Sequence, residues 1–298
     1  MKDKKVLIDG NSLAFRNLYS KDQLFVNSKK GNIYTGIVFG FIKEMVSVNQ
    51  TIKPKDFMVF WDGGSHRKRE IYPEYKSKRD LKLPGGMNKD ELWLSFKACR
   101  LFLKHLGVQQ YRIKGEEADD LLGSACHQHA DKEISLISSD HDMFQLLGRN
   151  VKVFKLTREG RVVWSERKFT EEFGFSPKYY PQFLSIVGDT GDTIPGIKGI
   201  GKVTAKEIFS QFHKPTLKNI FTHVNDLKCK DRIKKLLVEG KKDAIKFYKI
   251  IKLRKNLPLD PIHSQCRDEE KLMKLMKGLK LRTFYGNETA LSAIMDLR

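Results

Sequence analysis

The stretch Lys114-Gly115-Glu116-Glu117-Ala118-Asp119-Asp120 packs four acids into five residues of a chain whose formal net charge is +20. It follows a strand-like run, Val108–Ile113, and opens an apolar-periodic segment with Leu121, Leu122 and Ala125. The spacing predicts a helix that begins at the acids, with Glu117 and Asp120 three apart on one face. A helix dipole alone accommodates acids at its N-terminus, so the cluster gains chemical meaning only from partners elsewhere. Val6-Leu7-Ile8 closes in Asp9, Phe57–Trp61 closes in Asp62, and Ile134–Ser139 closes in Asp140-His141-Asp142. One apolar run ending in Asp means little, because Asp favours turns; three are a pattern. In a mostly parallel sheet the carboxyl ends of the strands share one edge, where α/β folds bind ligands. Asp9, Asp62 and Asp140 are therefore expected to converge, with the acids of 117–120 within reach. So many carboxylates repel one another unless cations neutralise them. An oxygen-only donor set selects a hard ion such as Mg²⁺ or Mn²⁺. His127, His129 and His141 read as surface or packing residues.

Further along, Gly188-Asp189-Thr190-Gly191-Asp192 runs into Pro195-Gly196-Ile197-Lys198-Gly199-Ile200-Gly201-Lys202. Asp189 and Asp192 are three apart, so a helical turn would aim both the same way. The glycines make a tight turn that opens a helix at Val203, and such a turn lets backbone N–H groups approach a phosphate. A dinucleotide-binding turn is the competing reading; it requires a strand directly before the glycines, and here a loop stands there. Upstream, residues 65–82 interleave bases with tyrosines: His66-Arg67-Lys68-Arg69, then Tyr72-Pro73-Glu74-Tyr75-Lys76-Ser77-Lys78-Arg79. Cations neutralise phosphates and aromatic faces stack on bases, so the composition suits single-stranded nucleic acid. A solvated basic surface is the bland alternative. Lys76 and Arg79 would project from one helical face with little local acid to pair them.

The elements that must hold these residues follow from periodicity. Helices are expected over Ile33–Val48, Leu92–Leu106 and Pro177–Val187, and a hairpin over Phe154–Trp164 with its turn at Arg158-Glu159-Gly160. Residues 203–298 read as helical and basic, dense in lysine from Lys228 to Lys255. Fifty-six Lys and Arg against 36 Asp and Glu favour a polyanionic partner. No apolar run reaches the ~20 residues of a membrane span, and Met1-Lys2-Asp3-Lys4-Lys5 leads straight into a strand without a signal-peptide core. Four scattered cysteines, Cys99, Cys126, Cys229 and Cys266, form no zinc or disulfide pattern. A reducing cytoplasm is the expected setting, with no membrane partner.

Taken in order, Asp9-Gly-Asn-Ser with Arg16, Asp62, Tyr75-Lys76-x-x-Arg79, Gly115 to Asp120, Ser139 to Asp142, and Gly188-Asp-x-x-Asp192 through Gly201 resemble the structure-specific 5′ nucleases. That family includes flap endonucleases, phage 5′ exonucleases and the 5′-nuclease domain of bacterial family-A DNA polymerases. The likeness covers nearly the whole chain, which ends where a polymerase would begin and so resembles a stand-alone nuclease. It departs at Val203, where many relatives carry a lysine and this chain has Lys202 just before. The resemblance implies an α/β fold with a central, mostly parallel sheet flanked by helices. Residues 1–187 would form the nuclease core, with an arch or clamp at about 65–100, and 188–298 a helical lobe with a helix-hairpin-helix motif. It implies two Mg²⁺ ions, with Mn²⁺ as substitute, and a K⁺ ion at the hairpin. Glu117, Asp119, Asp140 and Asp142 with Asp62 would hold the tighter ion. Asp189 and Asp192 would complete the second site, and Asp9 and Asp120 would ligate directly or through water. Arg16, Lys76 and Arg79 would act on the scissile phosphate; Tyr75, Gly196, Lys198, Gly199, Gly201 and Lys202 would contact DNA. The implied substrate of this monomer is DNA with a 5′ flap, nick or free 5′ end, or an RNA–DNA hybrid. Two other readings stay open: a PIN-like metal-dependent ribonuclease, which leaves the glycine hairpin and basic lobe unexplained, and a catalytically dead binding module, which predicts missing acids.

Overall fold

The computed structural model describes residues 3–19, 24–78, 82–157, 160–263 and 266–297. Its strands are β1 (Lys4–Asp9), β2 (Phe25–Ser28), β3 (Gly31–Tyr34), β4 (Asp56–Phe60), β5 (Gln109–Tyr111), β6 (Glu133–Ile137), β7 (Val151–Thr157) and β8 (Gly160–Trp164). Six make one sheet in the order β5-β4-β1-β6-β7-β8, and β2 and β3 pair separately. The sheet is parallel except for β8, which runs antiparallel to β7. The expected hairpin is thus present and longer than expected; its turn residues Arg158 and Glu159 lie outside the described residues.

Parallel strands covered on both faces read as unbroken apolar runs, and β1 shows why: Val6, Leu7 and Ile8 are all buried. Strand alternation sends Leu7, Met58, Phe60 and Val153 to one face. There they pack with the helices Ala118–Gln128, Tyr180–Val187, Lys202–Ser210 and Asp231–Ile251. Val6, Ile8, Phe57, Val59 and Trp61 face the other way, onto the helices Thr35–Ile52, Lys89–Leu106 and Glu269–Gly278. The stretch 188–298, expected as one lobe, therefore divides. Residues up to Leu257 join the first face, whereas Leu272, Met276, Leu279 and Phe284 bury themselves on the opposite one. Phe284 stacks on Phe39 there, with ring centres 4.8 Å apart.

Helix ends depart from the apolar period where caps intervene. Lys89–Leu106 starts ahead of Leu92 because Asn88 and Glu91 form a reciprocal cap, each side chain accepting the other's backbone N–H. Thr35–Ile52 outruns Val48 and stops at Lys53, in the left-handed region before Pro54. No described helix is long and apolar enough to cross a membrane.

After β1 the chain builds β4 and β5 on one side, then crosses to build β6 and β7 on the other. The strand order reverses at β1, and the crevice beyond the carboxyl ends of such neighbours is where open α/β sheets bind ligands.

Candidate functional site

A cleft of about 820 Å³ opens at that edge. Asp9, Asp62, Asp119, Asp140, Asp189 and Asp192 line it together with Arg16, Lys76 and Lys89. Six of the nine acids singled out in the sequence thus meet in one place, contributed by three strand ends, one helix start and one loop.

Each acid is fixed by its local backbone. Asp9 caps the helix Gly10–Arg16, taking the Ser12 N–H on Oδ1 (2.9 Å) and the Ser138 hydroxyl on Oδ2 (2.9 Å). Asp62 accepts the Ala118 N–H at 2.9 Å, which ties the end of β4 to the acidic stretch. The same two loops are joined backbone to backbone. Gly63 donates to the Glu116 carbonyl and Gly115 donates to the Gly63 carbonyl, both at 2.8 Å. A Cβ on Gly63 would fall 1.7 Å from the Ile113 carbonyl, so only glycine fits. Asp140 caps a short 3₁₀ turn, His141–Leu146, and accepts the Asp142 N–H at 2.9 Å. Asp189 and Asp192 lie in a tight loop rather than on a helical turn. The Asp189–Ile194 bridge closes that loop, and the Asp192 N–H donates to the Asp189 carboxylate at 3.2 Å.

The helix of the acidic stretch begins at Ala118, and Glu117 is its extended N-cap residue. Glu117 and Asp120 therefore do not share a helical face. Glu117 meets Lys68 Nζ at 2.5 Å, Lys76 Nζ at 2.6 Å and the Tyr75 hydroxyl at 3.0 Å. Burial works to raise its pKa, but the two ammonium groups outweigh it and hold the carboxyl near 2. Asp120 turns away from the cleft. It accepts the Arg254 N–H at 2.8 Å and faces Arg67 at 3.5 Å, and it is not among the residues that line the cleft.

Asp9, Asp119 and Asp142 make no ion pair of this kind among the described residues. Burial and the charge of Asp62 push Asp9 up to about 7. Burial and the charge of Asp140 raise Asp119 well above the carboxylate range, and the same causes, with Asp192 and Asp189, raise Asp142. Asp142 Oδ1 is buried with no hydrogen-bond partner. Among the described residues, no three His, Cys, Asp or Glu side chains are already gathered as a ligand shell. The donors are nonetheless all carboxylate oxygens, more numerous than the cations beside them, and mutually repelled. That chemistry fits hard divalent ions.

The basic, tyrosine-rich stretch differs most from expectation. Residues 73–78 form turns, not a helix, and Arg79 lies outside the described residues. Lys76 adopts a left-handed backbone, φ 56°, and its N–H donates to the Asp192 carbonyl at 3.0 Å. It has distant acid partners after all: besides Glu117, Asp192 is 3.6 Å away. Tyr75, expected to meet DNA, is 1% exposed, and its hydroxyl lies within hydrogen-bond distance of Glu117 at 3.0 Å and of Asp192 at 2.8 Å. It braces two acids and has no face free for a base. Tyr72 packs edge-on against Phe247.

Lys68 is a functional neighbour that sequence reasoning missed, since nothing in His66-Arg67-Lys68-Arg69 marks which cation points inward. Trp93 was missed as well: it lines the cleft 46% exposed, its ring edge-on to Phe15 and Phe96. Arg16 also lines the cleft and donates to the Thr157 carbonyl at 2.7 Å. In the hairpin, Gly196 is a correction. It is buried, with φ 64°, and a Cβ would strike Gly188 N at 2.4 Å, so its lack of a side chain serves internal packing. Lys198, Gly199, Gly201 and Lys202 are exposed, and nothing lies within 4 Å of a Cβ built on Gly201.

Comparison with known proteins agrees with this architecture. The 5′-3′ exonuclease N-terminal resolvase-like domain matches residues 4–174, and the 5′-3′ exonuclease C-terminal SAM fold matches residues 175–273. A 5′-3′ exonuclease of Mycoplasmopsis pulmonis is 29% identical over 261 residues, covering 86% of this chain and 82% of its own. DNA polymerase I of Bacillus caldotenax is 30% identical over 294 residues, 95% of this chain but 32% of the polymerase. The chain thus spans about a third of such polymerases and most of the exonuclease. Among solved structures, bacteriophage T5 flap endonuclease, in a pseudo-enzyme-product complex with DNA and metal ions, shares the fold. Its TM-score is 0.68 at 19% identity, over 98% of this chain and 96% of its own. Human GEN1 in complex with Holliday junction DNA follows at TM-score 0.64 and 14% identity, over 98% and 71%. The two matched domains together span all but the ends of the sequence, and on that ground the chain is a nuclease of the 5′-3′ exonuclease family.

Proposed function

We propose that this nuclease hydrolyses phosphodiester bonds of DNA near free 5′ ends, nicks and 5′ flap junctions, leaving a 5′ phosphate, with two divalent ions, Mg²⁺ or Mn²⁺. One observation carries the reading: six carboxylates and Arg16, Lys76 and Lys89 line a single cleft at the strand ends. Asp62, Glu117, Asp119, Asp140 and Asp142 would hold one ion, Asp189 and Asp192 the other, and Asp9 would support both. When bound, such ions supply an activated water and stabilise the leaving oxygen. The chain's own groups do the rest. Arg16 and Lys76 bring fixed positive charge to the phosphate, where charge develops during hydrolysis. Tyr75 and Lys68 hold Glu117 and Asp192 in place from behind. Phe15 and Trp93 offer apolar faces at the cleft wall to a base leaving the duplex. Lys198, Gly199, Gly201 and Lys202 form an open turn at the start of a helix, suited to a duplex phosphate and to a K⁺ ion beside it. Arg79 is proposed beside Lys76 on the resemblance alone. An RNA–DNA hybrid fits the same cleft, and one monomer carries the complete set of groups.

A 5′-labelled flap duplex, incubated with and without Mg²⁺, tests the reading. The expected outcome is one released fragment sized to the flap, lost in EDTA, with Ca²⁺ supporting binding but not turnover. Full cleavage in EDTA would overturn it.

A further inference from the structure

A second concavity, of about 770 Å³, runs along the sheet face beneath β6, β7 and β8. It lies next to the acid cleft, and Arg16 lines both. From Arg16 and Gly160 at the catalytic edge it reaches Lys4, Glu133 and Arg149 at the opposite ends of the strands. At ~3.3 Å per residue, a seven-residue strand such as β7 makes it roughly 23 Å long. The helix Thr35–Ile52 forms one wall through Glu44, Ser47 and Thr51. The floor is apolar, with Phe154, Leu156 and Val163 facing it, and Val163 is 42% exposed.

Charge in the groove is unequal. Lys4, Arg16, Arg149, Lys152 and Arg161 stand against Glu44 and Glu133. Glu44 is already paired with Arg161 at 3.0 Å. Arg149 and Lys152 are exposed and make no ion pair among the described residues. A groove with surplus positive charge and an apolar floor that includes one aromatic ring, Phe154, suits a polyanion that carries flat, apolar groups.

We propose that this groove binds the single-stranded 5′ arm of the substrate as it leaves the cleft past Arg16, holding its phosphates on Arg149 and Lys152 and a base against Phe154. The proposal rests on the nuclease reading above and adds a second binding site to it. Binding there is indifferent to sequence and grows with arm length.

Arg149→Glu/Lys152→Glu tests it, since both side chains are exposed and lie at the far end of the groove from the acids. Equilibrium binding in EDTA compares two duplexes that differ only in their flap, a single nucleotide or a long oligothymidine. Affinity for the long flap should fall about tenfold or more and its salt dependence should flatten by roughly 1.4, two lost phosphate contacts at about 0.7 each for a single strand. Affinity for the single-nucleotide flap should stay within about twofold, which also reports an intact fold. Equal losses on both substrates, or none on either, would overturn the groove. Cleavage of the single-nucleotide flap by the unmodified protein in Mg²⁺ is the separate control. Its absence would count against the nuclease reading while the binding comparison still decides the groove.

Discussion

Glu117 and Asp142 are both buried carboxylates beside the same cleft, 5% and 8% exposed, yet their carboxyls are shifted in opposite directions. Glu117 has two ammonium groups and a tyrosine hydroxyl within 3.0 Å and is held near 2. Asp142 faces Asp140, Asp192 and Asp189, keeps one oxygen without a partner, and is driven upward. Burial is shared; countercharge decides. One half of the cleft is neutralised by the protein itself. The other half is left with a deficit that a bound cation would fill, which is the property a metal-dependent site requires.

Asp142→Asn should have the largest effect, because it removes charge from the deficient half. Single-turnover cleavage of flap DNA in Mg²⁺ is expected to fall about 10³-fold, the loss of a principal electrostatic stabiliser. Affinity should hold or improve, since a negative charge near phosphate has gone. Wild-type turnover would remove Asp142 from the site. Lys68→Met attacks the neutralised half. Breaking a buried pair leaves an uncompensated charge and costs about 3 kcal/mol, here moderated by Lys76, which still faces Glu117. Urea unfolding in EDTA would show it, and an unchanged midpoint would mean that Lys68 is dispensable.

Lys76→Ala should cut single-turnover cleavage by about 10²-fold and weaken flap affinity less than about tenfold, one phosphate contact among many. Weaker binding at an unchanged rate would make Lys76 a surface cation only. The pH dependence of stability separates the halves without mutation. Asp9 holds its proton up to about 7 in the folded chain, against 3.8 ordinarily. Its contribution is complete below 3.8 and lost as pH rises through 7. Glu117, lowered from 4.5 to about 2, contributes above 4.5 and loses that contribution as pH falls towards 2. Melting in EDTA should therefore be highest in mild acid and decline towards neutrality, and Mg²⁺ should raise Tm more at pH 8 than at pH 5. A Tm in EDTA that climbs steadily to pH 8 would contradict the charge deficit. The smallest effect is expected for Asp120→Asn, with turnover changed less than about tenfold, since this carboxylate faces Arg254 and not the cleft. A loss as large as that of Asp142→Asn would return Asp120 to the site.

The convergence of Asp9, Asp62 and Asp140 was readable because its signal is local: a fully buried parallel strand is an unbroken apolar run, and Asp ends it. Topology then brought the three to one edge. The positions of Glu117 and Asp120 were not readable, because a helix that starts at Ala118 rather than at the first of the acids changes which side each carboxylate leaves the chain. Lys68 and Tyr75 share composition with a solvated basic surface. Only the docking of the helix His66–Ile71 and the following turn against distant acids turns them inward. Trp93 escaped notice because an aromatic on an amphipathic helix reads as core. The reverse is true of the sequence's last helices, whose apolar period is plain but whose choice of sheet face is a tertiary matter.

The backbone junction between Gly63 and Gly115 has a consequence for how this architecture can change over time. The hydrogen bonds from Gly63 to Glu116 and from Gly115 to Gly63 close the intervening chain into a loop pinned at its base. Asp62 and Glu117 sit on the pinned side of that closure. Within the enclosed chain Tyr75 and Lys76 reach back to Glu117 and Asp192, and only the residues between Lys76 and the helix Lys89–Leu106 follow those contacts in sequence. Residues can be gained or lost there while the spacing of the acids stays as it is. Closure entropy rises only slowly with loop length, about 0.6 kcal/mol per doubling. Substrate preference can therefore diversify through that segment under a chemistry that stays constant, so long as position 63 remains glycine.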